Sequence, residues 1–379
     1  MENLALYRKY RPRDFNEVIG QEHIVQTIQN AIAQNRLSHA YLFTGPRGTG
    51  KTTLARILAK TINCEKLSGN PQAKRAEQSP YDGNQPCGKC VSCMEIAAGR
   101  ALDIIEIDAA SNRGIDEIRE LREGIRSVPV QLKYKVYIID ESHQLTKEAF
   151  NALLKTLEEP PAHAIFILAT TEADKMPATI LSRVQRFDFK QLSIDQIVAK
   201  LEKILKEEKV KYSEDALRII AIYAAGGLRD AESMLAQILA HSPDKVTDLA
   251  VEEALGVPAF GKVATFTDLL QTKDLKEAII GLNSLQKEGV RLDEFLKSLL
   301  GYLRKMMLLQ IDEKLRPFAA PELTDNQFLT MIAQCKKFDK SDLEKALTAL
   351  MEAESNLKKT SITVLPIELA LIKIMQHNA

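Results

Sequence analysis

The sequence predicts a parallel α/β domain followed by domains made of helices alone, and three observations carry that prediction. Short apolar runs that suit buried strands alternate with helical patterns up to about residue 190. A glycine-rich turn at residues 45–52 joins the first of these runs to a helix. From Ser193 onward the apolar residues recur at helical spacing. We therefore expect a sheet with flanking helices first and helical domains after it.

The predicted strands are short runs of apolar and β-favouring residues. They are Ala40–Thr44, Ile104–Ile107, Val136–Ile139, Ile165–Ala169 and Phe187–Phe189. Helices are predicted near Ile115–Arg126 and Lys147–Leu157, between strands. Strands that alternate with helices imply a parallel sheet with right-handed crossovers.

The glycine-rich turn matches the whole G-x-x-x-x-G-K-[ST] pattern of a phosphate loop. Its glycines let backbone N–H groups and the helix N-terminus point at one anion. Lys51 is expected to reach the β- and γ-phosphates of a nucleotide, and Thr52 to hold Mg²⁺. The candidate residues of the loop are Gly45, Pro46, Arg47, Gly48, Thr49, Gly50, Lys51, Thr52 and Thr53.

Two carboxylates, Asp140 and Glu141, follow the predicted strand Val136–Ile139. Open α/β sheets bind ligands at the carboxyl ends of their strands, so the pair is expected near the phosphate loop. Asp140 is placed to bind Mg²⁺ through water, and Glu141 to polarise the attacking water. Alone, the pair would equally suit a loop or a helix cap.

Length and charge set outer limits on the function. The chain has 379 residues, enough for two or three domains with their own cores. Lys plus Arg and Asp plus Glu both number 51, so no global positive field drives binding to nucleic acid. No apolar stretch approaches the length of a membrane span, and residues 1–12 have no signal-peptide core. We expect a cytoplasmic protein without membrane contact.

Four of the five cysteines form a candidate metal site. Cys87, Cys90 and Cys93 have C-x-x-C-x-x-C spacing, and Cys64 ends the helix that follows the phosphate loop. The segment from Glu65 to Pro86 has no helical or strand period, and a structural zinc would clamp such a loop. An iron–sulfur cluster and unligated or redox-active thiols are the alternatives. The fifth, Cys335, lies in a helical stretch and is expected in a core.

The remainder of the chain is predicted to be helical. Helices are expected from Ser193, from Glu214 to about Ala225, and after Gly226-Gly227, and Pro243 is a candidate domain boundary. No convincing strand follows Pro243. Two wide apolar stripes at helical spacing indicate an internal core, and parts of the same helix faces would also suit a subunit interface. The first stripe comprises Leu292, Phe295, Leu296, Leu299, Leu300, Leu303, Met306 and Met307. The second comprises Leu343, Ala346, Leu347, Leu350, Met351 and Leu357.

The order of these motifs resembles the AAA+ ATPases, and in detail the gamma/tau family of bacterial DNA polymerase III subunits. The resemblance spans residues 4 to about 240. It is carried by Tyr7–Pro12, the phosphate loop, the four cysteines, Asp140-Glu141, Asn151–Pro161, Ser182-Arg183 and Leu228–Asp230. That family uses ATP to load a ring-shaped sliding clamp onto primed DNA.

The resemblance implies three domains and an ATP-driven clamp-loader motor. Residues 1–190 would form the AAA+ domain with a zinc module at 64–93, residues 191–243 a helical lid, and residues 244–379 an all-helical collar that joins subunits. The implied cofactors are ATP, Mg²⁺ and Zn²⁺. The implied partners are other clamp-loader subunits in a ring, the sliding clamp, and the backbone of primer-template DNA.

Several site residues come only from the resemblance. Thr170-Thr171 would be the first sensor near the γ-phosphate, with Thr171 catalytic. Arg183 would be an arginine finger that enters the ATP site of the neighbouring subunit, and Arg229 a second sensor on the chain's own ATP. The residues implied at the adenine are Tyr7, Arg11, Pro12, Val18 and Ile19.

The chain departs from the family pattern at four places. Val184 stands where a cysteine usually follows the serine-arginine pair, and Ser142 where an apolar residue usually follows the two acids. The gap between Cys64 and Cys87 is longer than expected, and the extended C-terminal region of the longer family form does not follow Ala379. None of these changes removes a ligand or a catalytic group.

DNA contact is the most open part of the prediction. Asn112, Arg113, Arg119 and Lys147 lie near predicted helix starts and would suit phosphate contacts, or they are ordinary solvated charges. Two other functions fit the ATPase motifs: a helicase or branch-migration motor, and a nucleotide-binding scaffold without turnover. The helical C-terminal third offers no hairpin for gripping DNA, and a silent scaffold has no need of Lys51, Glu141, Arg183 and Arg229 together. The clamp loader is therefore the function we predict.

Overall fold

A computed structural model describes residues 5–67, 85–111, 124–125, 127–256, 260–320, 323, 325–357 and 359–375. The contacts within it divide the chain into two compact units. The first comprises residues 1–200 and 224–233, and the second comprises residues 201–223 and 234–379.

The first unit is built on a five-stranded parallel sheet. Its strands are β1 (Ala40–Thr44), β2 (Ile104–Asp108), β3 (Lys135–Asp140), β4 (Ala164–Thr170) and β5 (Gln185–Asp188). They lie in the order β2-β3-β4-β1-β5. All five predicted strands are confirmed, with ends that differ by at most two residues.

Helices flank this sheet. They are α1 (Leu6–Lys9), α2 (Glu22–Ala33), α3 (Lys51–Ile62), α4 (Val91–Ala97), α5 (Lys147–Glu158) and α6 (Ala178–Leu181). Short 3₁₀ turns occupy Phe15–Glu17, Ser142–Gln144 and Ala173–Lys175. The helix predicted near Ile115–Arg126 lies for the most part outside the described residues.

Alternate residues of the central strands enter two different cores, because successive side chains of a strand point to opposite faces. On β3, Tyr137 and Ile139 pack in one core with α5, whereas Val136 and Ile138 pack in the other with α2 and α3. The strands β1 and β4 are buried along their whole length because both faces of the sheet are covered there, whereas β5 at the edge buries only Phe187.

The parallel register brings the carboxyl ends of the strands to one edge of the sheet. Thr44 pairs with Thr170, and Asp108 pairs with Asp140. The loops that leave β1, β3 and β4 therefore start side by side. These are the loops that carry the candidate catalytic residues.

Beyond the sheet the chain is almost wholly helical, as predicted. The helices are α7 (Ile194–Glu208), α8 (Glu214–Tyr223), α9 (Leu228–His241), α10 (Asp248–Leu255), α11 (Phe260–Thr272), α12 (Leu275–Lys287), α13 (Leu292–Leu309), α14 (Arg316–Ala319), α15 (Asp325–Cys335), α16 (Lys340–Leu357) and α17 (Leu365–Met375). A 3₁₀ turn occupies Glu313–Leu315.

The expectation of no strand after Pro243 needs a correction. Lys211–Tyr212 and Lys245–Val246 form a two-residue parallel pair, β6 and β7. Runs this short have no period of their own, so sequence patterns do not reveal them. The domain boundaries predicted near residues 190 and 243 stay predictions.

The two apolar stripes lie mainly in one core of the second unit. Six of the eight residues of the α13 stripe are buried there, and Leu300 is partly buried. The stripes are wider than the core: Met307 is 38% exposed and Met351 is 61% exposed. Cys335 is buried in the same core, as predicted. No helix in the described part of the chain is both long and apolar enough to cross a membrane.

Candidate active site

Two glycines of the phosphate loop occupy positions that would strain any other residue. Gly45 has a φ of 140°, and a Cβ there would lie 2.5 Å from the carbonyl oxygen of Phe189. Gly48 has a φ of 78°, and a Cβ there would lie 3.1 Å from the Cα of Gly227. The curled backbone that the phosphate loop requires thus depends on these two glycines.

Lys51 is the buried cation of the loop, with 6% of its surface exposed. Its Nζ donates to the carbonyl oxygens of Gly45, at 2.6 Å, and Pro46, at 2.8 Å. Burial lowers the pKa of Lys51, while the charges of Glu141 and Asp140 act to raise it. The ammonium group is therefore held beside the loop by weak backbone acceptors that an anion can replace.

Thr52 and Asp140, expected to hold Mg²⁺, are in direct contact. The Thr52 hydroxyl donates to Oδ2 of Asp140 at 2.8 Å, although the two residues lie 88 positions apart. The other carboxylate oxygen of Asp140 accepts from the backbone N–H of Glu141 at 3.0 Å. Hydroxyl and carboxylate oxygens are the donor types that Mg²⁺ takes in nucleotide sites.

Glu141 is held by groups from the end of β4. It has a φ of 46°, a left-handed conformation that costs a non-glycine residue about 1–3 kcal/mol. Its Oε2 accepts from the Thr171 hydroxyl at 3.0 Å and from the Thr171 backbone N–H at 3.3 Å. The backbone strain and these bonds fix the carboxylate beside Thr171, so the structure brings the predicted base and the predicted sensor together.

His143 joins the same cluster and was not predicted from the sequence. Its Nδ1 lies 3.4 Å from Oε2 of Glu141 and 2.9 Å from the Thr170 hydroxyl, and its Nε2 lies 3.2 Å from Glu172. His143 lies two residues after Glu141 in the same tight turn. That nearness in sequence was the one feature by which His143 could have been predicted to lie in the site. Ser142, noted above as a departure, is fully buried, and its hydroxyl donates to the Ala169 carbonyl at 3.1 Å.

One pocket of the first unit gathers most of the predicted nucleotide residues. The implied adenine residues lie in its wall with the loop and with Asp140 and Glu141. Its lining comprises Tyr7, Arg11, Pro12, Val18, Ile19, Arg47, Gly48, Thr49, Gly50, Lys51, Thr52, Thr53, Asp140, Glu141, Leu192, Leu228, Arg229 and Glu232. Glu232 was missed, although it lies three positions after Arg229 on one helix and so shares its face.

Arg229 lies at the start of α9, which begins against the phosphate loop. The backbone N–H of Leu228 donates to the Gly48 carbonyl at 3.1 Å. The guanidinium of Arg229 lies 5.0 Å from the ring centroid of Tyr7. The cation thus stacks on an aromatic ring within the pocket wall.

Arg183 is not in the lining of this pocket. Its Nη2 lies 2.6 Å from Glu158, and its Nη1 donates to the Thr179 carbonyl at 2.7 Å and to the Ser182 hydroxyl at 2.9 Å. Its side chain is 32% exposed. The structure therefore leaves the predicted finger away from the nucleotide pocket of its own chain.

The four predicted cysteines converge at a separate place in the first unit. Their sulfur atoms all lie within 4.8 Å of one another. A tetrahedral zinc with Zn–S bonds of about 2.3 Å sets its sulfurs about 3.8 Å apart, close to this arrangement. Gly88, with a φ of 67°, makes the turn between Cys87 and Cys90.

Backbone N–H groups point at three of these sulfurs. The amides of Cys87, Cys90 and Cys93 donate to the sulfurs of Cys64, Cys87 and Cys90 at 3.4, 3.3 and 3.4 Å. A hydrogen bond from Cys93 lowers the pKa of Cys64 to about 4, and the same bond raises the pKa of Cys93. The first thiolate of a metal site thus forms readily, and N–H donors stabilise the negative sulfurs. The residues fit a metal that prefers four sulfur ligands.

Comparison with known proteins covers nearly the whole chain. Family models match at residues 20–193 (DNA polymerase III, delta subunit), 196–244 (DNA polymerase III clamp loader subunit, ATPase lid domain) and 246–378 (DNA polymerase III subunits gamma and tau, domain III). The DNA polymerase III subunit gamma of Buchnera aphidicola subsp. Acyrthosiphon pisum is 36% identical over 375 residues, which cover 99% of both chains. This chain belongs to the gamma/tau subunit family of DNA polymerase III.

The gamma/tau family also has longer members. The DNA polymerase III subunit tau of Bacillus subtilis is 42% identical over 381 residues, and the match covers all of this chain but 64% of that protein. This chain thus spans just under two thirds of the length of that relative.

Among the solved structures that this chain resembles is the RuvB Holliday junction branch migration motor of Thermotoga maritima. It is 19% identical, with a TM-score of 0.46, and the match covers 75% of this chain and 87% of that one. A TM-score this low adds nothing to the assignment to the gamma/tau family, which rests on the sequence relatives.

Proposed function

We propose that this gamma/tau chain is an ATP-driven clamp-loader motor of the DNA polymerase III holoenzyme. It binds and hydrolyses ATP and, with other subunits, opens the sliding clamp and loads it onto primed DNA. The observation that carries the proposal is the meeting of Lys51, Thr52, Asp140 and Glu141 in one pocket of a family member. A clamp loader needs turnover at such a site, whereas a silent scaffold does not.

The phosphate end of the pocket binds and positions ATP. Backbone N–H groups of the loop and the N-terminus of α3 hold the phosphates. Lys51 leaves its carbonyl partners and moves its charge to the β- and γ-phosphates. Thr52 and Asp140 would hold Mg²⁺, and the bound ion would supply positive charge beside the phosphate oxygens.

Glu141 and Thr171 act on the attacking water. The carboxylate of Glu141 accepts a hydrogen bond from water and orients it in line with the γ-phosphate. Thr171 now donates to the same carboxylate oxygen, at 3.0 Å. Turnover therefore requires the Thr171 hydroxyl to shift from Glu141 toward water or phosphate, which is the role of a sensor. His143 lies beside the same carboxylate oxygen, with its Nδ1 3.4 Å away.

The two arginines neutralise charge from different chains. Arg229 lies in the pocket wall and moves from Tyr7 to the phosphates of its own ATP. Arg183 serves the ATP of the neighbouring subunit, which fits its distance from the pocket of its own chain. In the single chain the guanidinium of Arg183 forms an ion pair with Glu158. When subunits assemble, Arg183 has to leave Glu158 and bind a phosphate instead.

The cysteine cluster holds a structural zinc through Cys64, Cys87, Cys90 and Cys93. Four sulfur ligands close the coordination sphere and leave no position for a catalytic water. The zinc clamps the long segment between Cys64 and Cys87. An iron–sulfur cluster and free thiols remain the alternatives that metal analysis separates.

Partners and location follow from the clamp-loading role. The chain works in the cytoplasm, in a ring with other clamp-loader subunits, on the sliding clamp and on primer-template DNA. Lys147 is exposed at the first position of α5 and is available for a phosphate contact. Asn112, Arg113 and Arg119 lie outside the described residues.

The test is a clamp-loading assay with purified subunits, with and without ATP. Wild-type chain should load the clamp only with ATP, and Lys51→Ala should lose both ATP binding and loading. Clamp loading by Lys51→Ala at the wild-type rate would contradict the proposal. A wild-type chain that binds ATP but never turns it over, in the full assembly with clamp and DNA, would favour the scaffold instead.

A further inference from the structure

Glu232 is a buried acid in the nucleotide pocket that the catalytic scheme does not use. Only 4% of its surface is exposed, and its Oε1 has no hydrogen-bond partner within the described part of the chain. It nevertheless lines the pocket. A buried carboxyl oxygen without a partner is costly, so a ligand donor at this place would repay part of that cost.

The position of Glu232 separates it from the phosphate end. Helix α9 starts against the loop, where the Leu228 N–H donates to Gly48. Glu232 follows Leu228 by four residues, on the same helix face and about 6 Å farther along the axis. Lys200, which donates to the Tyr10 carbonyl at 3.2 Å, contributes its charge at Glu232. Glu232 thus lies toward the N-terminal segment, where the base is expected.

The chemistry of a nucleotide leaves few groups that Glu232 could meet. Phosphates would repel a carboxylate, so the donor must come from the base or the sugar. The neighbouring wall is apolar and includes Pro12, Val18 and Ile19, which suits the flat face of a base. On the edge of adenine the donor is the 6-amino group, whereas guanine and hypoxanthine carry an acceptor oxygen there.

We propose that Glu232 selects the base: its carboxyl oxygen accepts a hydrogen bond from the 6-amino group of adenine and disfavours a 6-oxo purine. The inference rests on the proposed ATP binding and adds a residue that determines its specificity. Burial raises the pKa of Glu232 to about 7, partly offset by Lys200. The protonated form has a donor as well as an acceptor and would not discriminate, so the base selection belongs to the carboxylate, the main form above pH 7.

The experiment compares ATP with ITP above pH 7, where Glu232 is ionised; ITP has a 6-oxo group in place of the 6-amino group and carries a hydrogen on N1. Dissociation constants are measured by calorimetry on the whole chain with Mg²⁺. The wild type should bind ATP about tenfold or more tightly than ITP, because ITP leaves an acceptor against the buried acid. In Glu232→Gln the ratio should fall to about one to threefold, since an amide both accepts and donates.

Controls separate the possible failures. Glu207→Gln makes the same change at an exposed position of α7 and should keep the wild-type ratio. Glu232→Leu, which introduces no polar group, should also lose the preference and checks the Gln variant. An unchanged ATP to ITP ratio in both Glu232 variants overturns the inference while ATP binding stands.

The sugar is the other donor, and 2′-deoxy-ATP tests it. If Glu232→Gln changes the ratio of ATP to 2′-deoxy-ATP instead of the ATP to ITP ratio, Glu232 contacts the ribose and the base assignment is wrong. If wild-type chain binds neither ATP nor ITP, the nucleotide site itself is wrong, and the proposed function falls with the inference.

Discussion

The nucleotide pocket and the cysteine cluster are both polar sites of the first unit, but they are assembled in opposite ways. Three of the four cysteines lie within seven residues, and backbone amides of the same turn support their sulfurs. The pocket draws its lining from Tyr7 through Glu232. The cluster is therefore a local structure, whereas the pocket exists only when the sheet has formed.

This difference has a functional consequence. A site assembled from distant segments responds to movement of any segment, and three of the predicted catalytic residues contact groups that turnover would displace. Lys51 is held by loop carbonyls, Glu141 by Thr171, and Arg183 by Glu158. A closed four-sulfur site has no such exchangeable position. We therefore expect pocket variants to change rates and cluster variants to change stability.

The largest expected effect is that of Arg183→Ala. A finger supplied by a neighbouring subunit contributes roughly 10³–10⁵-fold to phosphoryl transfer, whereas a partly exposed ion pair such as Arg183–Glu158 contributes about fivefold or less in an equilibrium constant. The ATPase rate of the full assembly with clamp and primed DNA should thus fall about a thousandfold or more. Steady-state phosphate release measures it.

Mixed assemblies give the matched control for Arg183. Chains with Arg183→Ala keep an intact pocket, and chains with Lys51→Ala keep an intact finger, so mixing them should restore some hydrolysis. Glu158→Gln should leave turnover nearly intact, because it removes only the resting partner of Arg183. An Arg183→Ala assembly that hydrolyses ATP at the wild-type rate would end the idea of a finger acting between chains.

The next effect in size is that of Glu141→Gln. Removal of a positioned base typically costs about 10²–10⁴-fold in rate, while the amide keeps the shape of the side chain and leaves Lys51 and the phosphate loop in place. ATP affinity should stay within about threefold. Single-turnover hydrolysis and equilibrium binding measured on one preparation separate the two quantities, and wild-type turnover in this variant would make Glu141 a structural residue.

Most of the fold was predictable because the central strands β1, β3 and β4 are apolar runs that the sheet buries almost completely. Glu141 and Thr171, by contrast, meet only because β3 and β4 are neighbours, and strand order is not encoded in the spacing of either motif. The resemblance alone placed Thr171 near the γ-phosphate. The short pair at Lys211–Tyr212 and Lys245–Val246 was missed because two residues have no detectable period.

Of the two sites, the cysteine cluster could be predicted from the sequence, whereas the buried acid Glu232 in the nucleotide pocket could not. The C-x-x-C-x-x-C spacing already puts three potential ligands within seven residues, and the structure places all four sulfurs together. Glu232 looks like one of many helical glutamates, since nothing local distinguishes it from Glu207. Its meaning depends on burial against the N-terminal segment, which only the folded chain reveals.

The cysteine cluster should give a smaller effect of a different kind. Cys90→Ser should remove one zinc per chain and lower the melting temperature by roughly 5–10 °C, while ATP affinity changes less than about threefold. Cys335→Ser is the matched control, because that thiol is buried in the helical core and should leave the zinc in place. Elemental analysis of protein purified without chelators is the measurement, and a folded chain without zinc would exclude the zinc site.

The smallest expected effect is a pH dependence of stability that Glu232 adds to the pocket. Burial raises its pKa from 4.5 in the unfolded chain to about 7 in the fold. A raised pKa of an acid means that the folded state binds its proton more tightly. The stability from this site is therefore fully present below pH 4.5 and is lost as the pH rises through 7, a loss of at most about 3 kcal/mol.

Glu232→Gln has no proton to lose. Without nucleotide, the unfolding free energy of this variant should therefore exceed that of the wild type, and the difference should grow from pH 5 to pH 8. Urea unfolding of both proteins, with Glu207→Gln as the exposed control, measures the difference. Parallel pH profiles would mean that Glu232 is already ionised in the folded protein, with its charge compensated by Lys200. Asp140, Glu141 and Glu232 would then all be charged in the pocket, and Glu232 would not titrate near neutral pH.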